Sequence, residues 1–140
     1  MKRLTLICFL FVSLLSAINM QAQSTFPYTE GERSQYSAYI EMSRGYLSGV
    51  LVLLREEGAV KGCLFNEFGL TALDFTFYPE RQKVKLNHVI EFMDHWYIRR
   101  IIRKDISQIM ICLQKGETTY INKHRNITYQ FTPIENEVPE

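Results

Sequence analysis

The chain has 140 residues, of which 46% are hydrophobic and 22% are charged, an ordinary composition for a globular protein with one core. Residues 1–22 hold two of the 16 Lys and Arg and none of the Asp and Glu, so the remainder carries 14 basic against 15 acidic residues, a net charge of about −1. Such a balance gives no electrostatic case for nucleic-acid binding, which needs a basic surface to displace counterions.

The N-terminus has the pattern of a secretory signal peptide. Lys2 and Arg3 precede an apolar run from Leu4 to Ile18, and Ala22 is a small residue suited to the position before a cut. The apolar run is too short to favour the alternative, a membrane anchor. We therefore predict export of a mature chain without a transmembrane segment, to the periplasm or, alternatively, outside the cell.

The next elements are a leader and two strands. Residues 23–34 lack periodicity and are predicted to form a flexible leader, with order from near Gln35. The first strand is predicted from alternating apolar residues: Tyr36, Ala38, Ile40 and Met42. In the second, residues 50–54 are apolar on both faces, which indicates a central strand or one covered by a helix. Gly58 then predicts a hairpin.

Three further strands follow, over residues 61–65, 70–78 and 84–90. The first two are separated by the tetrad Asn66–Gly69. Asn is favoured at the first position of a type I turn and Gly at the fourth, so the tetrad predicts a tight turn between antiparallel strands.

Helical spacing replaces the strand pattern after residue 93. Asp94 predicts the cap of one helix and Asp105 the cap of a second, whose apolar stripe ends before Gly116. Residues 118–133 then read as a hairpin, and residues 133–140 as a frayed acidic tail. The predicted fold is α+β: a curved antiparallel sheet, a partial half-barrel, with one or two helices on its concave face, in a single domain over residues 35–132.

Catalytic and metal-binding patterns are missing from the sequence. His88, His95 and His124 have no second ligand at metal spacing, and no nucleophile motif occurs. We therefore expect neither an enzyme nor a cofactor, and no metal site. Glu67, between aromatic residues, is kept as the minority candidate for a catalytic acid. Whether Cys63 and Cys112 form a disulfide is left open.

Apolar residues supply the candidates for a ligand cavity between sheet and helix. The predicted lining residues are Phe65, Leu73, Phe75, Phe77, Trp96, Tyr97, Ile101 and Phe131. The alternative for this set is a plain core.

Contacts with a partner or membrane are predicted at two places. Phe68 in the turn either folds back onto the core or touches a partner or membrane. The basic cluster consists of Arg99, Arg100, Arg103 and Lys104. At a helix end these cations would offset unpaired carbonyls; alternatively, they contact anionic lipid headgroups.

The phrases "GYLSGVLVLLREEG", "CLFNEFGLTALDFTF" and "RKDISQIM" together resemble short exported proteins related to the periplasmic lipoprotein carrier and outer-membrane lipoprotein receptor, the LolA/LolB-like families. The resemblance covers about residues 36–131, and the Ala22-Gln23 step at the cut is similar to Bacteroidetes-type exported proteins. The carrier and receptor are longer, and this chain lacks the cysteine that is lipidated in the receptor.

The resemblance implies an open half-barrel with a helical lid over an apolar cavity for acyl chains. The expected function is thus a non-catalytic periplasmic binding protein for a lipid or acylated peptide. The alternative is a cell-envelope protein-interaction module with a filled core and no small-molecule ligand.

Overall fold

The fold is known from a computed structural model, which describes residues 25–135. The predicted signal peptide and the last five residues of the predicted acidic tail lie outside the described residues. Within them, seven strands and one α-helix form a single α+β unit. The strands are β1 Arg33–Met42, β2 Gly45–Glu56, β3 Ala59–Asn66, β4 Thr71–Tyr78, β5 Lys83–Val89, β6 Thr119–Asn122 and β7 Ile127–Pro133. A short 3-10 helix, Glu91–Met93, precedes helix α1, Trp96–Gln114.

All seven strands belong to one antiparallel sheet in the order β5-β4-β3-β2-β1-β7-β6. The sheet is curled into a half-barrel, and α1 links its two edges because it follows β5 and precedes β6. The helix contacts both of these edge strands. Buried residues of the helix and of the sheet form one hydrophobic cluster. The predicted fold class, a curved antiparallel sheet with a packed helix, is confirmed.

Alternating side chains build the inner face of the sheet. Tyr36 and Ala38 of β1 are 1% exposed, Ile40 packs against the core, and Met42 at the strand end is exposed. The predicted alternation therefore holds for all but the last residue of β1. Hydrophobic burial of this kind contributes roughly 25 cal/mol for each Å² of apolar surface removed from water.

One glycine in β3 makes room for a core ring. Gly62 lies opposite Phe75 in the register of β3 and β4. A Cβ atom on Gly62 would lie 2.1 Å from Cζ of Phe75, closer than any real contact. The Phe75 ring, which is 0% exposed, thus packs directly over the strand backbone.

Strand β2 lies between β1 and β3, so its predicted central position is confirmed. Its inward residues Leu51 and Leu53 are fully buried. Its outward residues Val50, Val52 and Leu54 are half-buried, so the outer face of the strand is less covered than the inner one. Their apolar character reflects the preference of β-branched and large side chains for a pleated surface.

Both predicted turns are present. Glu57 and Gly58 have φ angles of 52° and 74°, the left-handed pair that a two-residue hairpin requires. Across the tetrad, the Gly69 N–H donates to the Asn66 carbonyl at 3.0 Å, and the Asn66 side chain accepts from the N–H groups of Phe68 and Leu70. The tetrad is therefore held by its own backbone hydrogen bonds and by Asn66.

A single helix replaces the two helices of the alternative prediction. Asp105 is the tenth of 19 residues in α1, and it is an interior residue where a cap was predicted. Asp94 precedes the helix, whose N-cap residue is His95, with no side-chain capping bond. The predicted end is correct: α1 stops at Gln114, and Gly116 has a φ of 80°.

The fold begins earlier than expected from the sequence. Phe26, inside the predicted leader, is 0% exposed and belongs to the core. The N–H of Gly31 donates to the Arg55 carbonyl at 2.8 Å, which ties the segment to the end of β2. The expected start of order near Gln35 was therefore too late, because one buried aromatic ring in a segment without periodicity leaves no pattern in the sequence.

Cys63 and Cys112 are free thiols. Cys63 faces outward on β3, since its neighbours Gly62 and Leu64 face the core, whereas Cys112 lies on the helix that packs against the inner face. The sheet thus separates the two sulfur atoms. Burial raises the pKa of both thiols above the ordinary value.

No helix within residues 25–135 is long and apolar enough to cross a membrane.

Candidate functional site

The eight predicted cavity residues lie in three separate places. Four of them, Leu73, Phe75, Phe77 and Phe131, are at most 2% exposed and pack in the core with the helix. They therefore fill the space between the layers, and the predicted cavity at that position is corrected to a packed interior. The physical reason is that aromatic rings supply enough volume to close the half-barrel around α1.

Phe65 lies on the other side of the sheet. Its neighbour Leu64 is buried, and Phe65 pairs with Val50 and Thr71, which face outward. A register shift between Leu64 and Phe65 accompanies this pairing. Since successive strand residues point to opposite faces, Phe65 cannot line a space next to the helix.

Trp96, Tyr97 and Ile101 come together in an open groove between the first half of α1 and the β6–β7 hairpin. The volume of this aromatic groove is about 600 Å³. Its lining residues are Trp96, Tyr97, Arg100, Ile101, Lys104, Asp105, Gln108, Tyr120, Asn122, His124 and Arg125. Trp96 is 77% exposed, which is unusual for so large an apolar side chain and leaves much of it available to a ligand.

A buried carboxylate anchors the groove to the sheet. Asp105 is 2% exposed and accepts hydrogen bonds from the Tyr129 hydroxyl at 2.6 Å and from the Asn122 amide at 3.0 Å to each oxygen. These contacts join the middle of α1 to β6 and β7. Burial and the neighbouring carboxylate raise the pKa of Tyr129, so the hydroxyl stays protonated and donates.

Stacked rings and an ion pair hold the start of α1. His95 stacks on Tyr97 with ring centroids 5.6 Å apart, and Trp96 meets Tyr97 edge-on at 5.9 Å. Arg99 forms an ion pair with Asp94, and its guanidinium lowers the pKa of that carboxyl. Trp96 and Tyr97 are therefore positioned by their neighbours in sequence, without burial in the core.

The basic cluster lies in the first half of α1, among residues 99–104 of a helix that ends at Gln114. The predicted explanation, cations offsetting unpaired carbonyls at a helix end, is wrong because those carbonyls belong to the opposite end. Like charges four residues apart on a helix also destabilise it. Among the described residues, Arg100, Arg103 and Lys104 have no ion-pair partner. Helix stability therefore gives no reason for these three cations.

Several lining residues of the groove were not predicted from the sequence. Tyr120, Asn122, His124 and Arg125 come from the β6–β7 hairpin and meet α1 only through the curl of the sheet. The one sequence pattern that bears on them is the alternation in β7, which places Tyr129 inward beside Asp105. Contacts between elements so far apart in the chain cannot be predicted from sequence spacing alone.

Phe68 points to solvent with 80% of its surface exposed, and Leu70 beside it is 58% exposed. Of the two predicted orientations, folding back onto the core is wrong, because the ring is largely exposed and does not belong to the hydrophobic cluster. Glu67 is exposed, and it accepts a long hydrogen bond from the Ser48 hydroxyl at 3.4 Å. Glu67 is therefore not buried between the neighbouring aromatic residues.

Exposed aromatic residues gather at one end of the half-barrel. Strands β1, β3, β5 and β6 run toward this end, as the antiparallel pairings require. The large exposed side chains there are Met42, Tyr46, Phe68, Leu70, Phe92, Trp96, Tyr97 and Ile121. We call this set the aromatic end. It adjoins the aromatic groove, with which it shares Trp96 and Tyr97.

The main carboxylate of the groove is taken up by contacts within the protein. The Asp105 carboxylate is engaged by Tyr129 and Asn122. Within residues 25–135, no three His, Cys, Asp or Glu side chains are grouped so that they could hold a metal ion. Comparison with protein-family models, curated proteins and solved structures gives no match.

Proposed function

We propose that the protein is a non-catalytic binding protein for a lipid or acylated ligand, and that the ligand lies in the aromatic groove. The supporting observation is the open groove of about 600 Å³, in which exposed Trp96 and Tyr97 stand beside Arg100 and Arg125. Apolar rings next to cations suit a ligand with a chain and an anionic group. The LolA/LolB-like resemblance leads to the same ligand class.

The groove replaces the space between sheet and helix as the place for an acyl chain. Phe75 and Phe77 in that space are 0% exposed, so an acyl chain could enter only if the core opened. Ile101 and Tyr120 in the groove offer apolar surface without such a change. Export to the periplasm, or outside the cell, is part of the proposal and rests on the pattern of residues 1–22.

Trp96 gives a direct test, because it is the only tryptophan in the chain and lines the groove. Titration of the chain lacking residues 1–22 with a fatty acid should shift its tryptophan emission to shorter wavelength and saturate. Organic extracts of the natively purified protein should also contain a retained lipid in mass spectrometry. Failure of both measurements would end the proposal.

A matched pair of variants locates the binding. Binding of a fluorescent fatty-acid probe should weaken about tenfold in Trp96→Ala, because a large apolar contact is lost. Phe92→Ala should bind like the wild type, since Phe92 is similarly exposed, at 70%, but does not line the groove. Equal weakening in both variants would move the site away from the groove.

The second candidate function is a cell-envelope interaction module that contacts its partner through the aromatic end. The observation that favours it is the exposure of Phe68 and Leu70 on a turn rigidified by Asn66. Affinity purification with Phe68→Ser should lose a partner that is retained with Ile134→Ser, a control residue that is 38% exposed just after β7, at the opposite end of the half-barrel. An unchanged partner set would remove the turn as a contact surface.

A further inference from the structure

A second groove lies on the other side of the helix, between α1 and the start of β5. Its volume is about 400 Å³. Four of its eight lining residues are cations from two different elements, and none is acidic: the cations are Lys83, Arg100, Arg103 and Lys104. We call this the basic groove.

The two grooves share a wall. Arg100, Lys104 and Gln108 line both of them, whereas Arg103 and Lys83 line only the basic groove. The three shared side chains therefore form a ridge on the outer surface of α1, in which Arg100 and Lys104 are the cations. A ligand whose apolar part rests on Trp96 and Ile101 has its polar part at this ridge.

The basic groove is not explained by contacts within the protein. None of its four cations forms an ion pair with any residue in the described range 25–135. The Ser107 hydroxyl donates to the Gln82 carbonyl at 2.7 Å, which fixes the helix to the β4–β5 turn and holds the two cationic elements side by side. Like charges are thus held together by the fold, an arrangement that an anion stabilises.

The number and type of donors indicate which anion fits. Arginine presents a planar fork of N–H groups that matches the oxygens of phosphate, and lysine adds point charge. A phosphate monoester has three free oxygens and a charge of about −1.5 to −2, so it can occupy several cations at once. A carboxylate has two oxygens and one charge, and would leave most of Lys83, Arg100, Arg103 and Lys104 unused.

We propose that the basic groove binds the phosphate group of the ligand whose apolar part lies in the aromatic groove. This inference rests on the proposed function and assigns the head group: the ligand is a phosphorylated amphiphile. The ridge that contains Arg100 and Lys104 connects the two parts of the site. Arg103 and Lys83 are the residues that distinguish a phosphorylated head group from a neutral one.

The experiment compares two lipids with the same chain, lauroyl lysophosphatidic acid and monolaurin, by titration of Trp96 emission in the chain lacking residues 1–22. The wild type should bind the phosphorylated lipid about tenfold more tightly, and raising the salt from about 50 mM to about 500 mM should reduce that preference. The double variant Lys83→Gln with Arg103→Gln should bind both lipids with the affinity that the wild type has for monolaurin. Lys85→Gln, a cation on the same strand that does not line the groove, should keep the preference.

The outcomes separate the two proposals. Equal affinity of the wild type for both lipids, or a full preference retained in the double variant, overturns the phosphate site while the proposed function stands. If neither lipid binds, titration with inorganic phosphate followed by amide NMR shifts decides the case. Saturable shifts at Lys83 and Arg103 would then support the phosphate site without the proposed function, and unchanged spectra would overturn both.

Discussion

The two halves of α1 differ in how deeply their side chains are buried. Of the five buried residues of the helix, Ile106, Ile109, Met110 and Leu113 lie in its second half, and Asp105 is its middle residue. The first half buries none and presents exposed rings and cations to the two grooves. A helix that is held by one half can therefore carry a binding surface on the other, because packing of the second half already stabilises the fold.

An isoleucine-to-alanine substitution in each half tests this difference most directly. Ile109 is 1% exposed, so Ile109→Ala should lower the free energy of unfolding by about 2–5 kcal/mol. Ile101 is half-buried at the groove, and Ile101→Ala should cost about 1 kcal/mol or less. Urea unfolding measures both. Equal costs would show that the two halves contribute alike to stability.

The junction between the halves should show an intermediate effect. Tyr129→Phe removes a hydrogen bond to the buried Asp105 and should cost about 1–2 kcal/mol in urea unfolding. Because the folded pKa of Tyr129 is raised, the folded state holds its proton more firmly than the unfolded state, and stability should fall as the pH rises above about 10.

Urea unfolding at alkaline pH tests this predicted fall in stability. Tyr129→Phe should flatten the loss of stability above the ordinary tyrosine pKa without abolishing it, since burial also raises the pKa of Tyr36. A steeper loss of stability in the variant would contradict the assignment.

A smaller, kinetic effect is expected at the cysteines. Cys112 belongs to the second half of α1, and burial raises the pKa of its thiol, as it does for Cys63. Both thiols should react slowly with a disulfide reagent near neutral pH, because little thiolate is present. In denaturant and without a reductant, two thiols per chain lacking residues 1–22 should react with the reagent. A result of zero equivalents would contradict the separation of the two sulfur atoms by the sheet.

The smallest effect belongs to the first half of the helix. The Arg99 guanidinium lowers the pKa of Asp94, so Arg99→Gln should return that pKa toward its ordinary value. An NMR titration of the Asp94 carboxyl measures the change. Thermal unfolding at neutral pH should be nearly unchanged, since exposed ion pairs contribute little. A large drop in melting temperature would mean that this half also supports the fold.

Most of the sheet could be predicted from the sequence because each strand is a local pattern. The alternation in β1 and the turn residues Asn66 and Gly69 depend on neighbours in the chain, and both expectations are confirmed. Asp105 was misread for the same reason. Its position before an apolar stripe is typical of a cap, and only contacts with Asn122 and Tyr129 explain a buried carboxylate inside a helix.

The site was less predictable than the fold. Trp96, Tyr97 and Ile101 were among the predicted lining residues, yet the sequence could not separate them from Phe75 and Phe77, which pack in the core. The difference depends on which part of α1 meets the inner face of the sheet. Likewise, the convergence of Lys83 with Arg103 depends on the fold of the β4–β5 turn against the helix.

The close approach of Gly62 and Phe75 limits the residues that related sequences can have at these two positions. Because a methyl group at position 62 would overlap the ring, a side chain at that position requires the ring to move or to be replaced by a smaller side chain. Descendants of this sequence that acquire a side chain at position 62 should carry a smaller residue at position 75. Related sequences should therefore show correlated residues at positions 62 and 75, even where the groove residues differ.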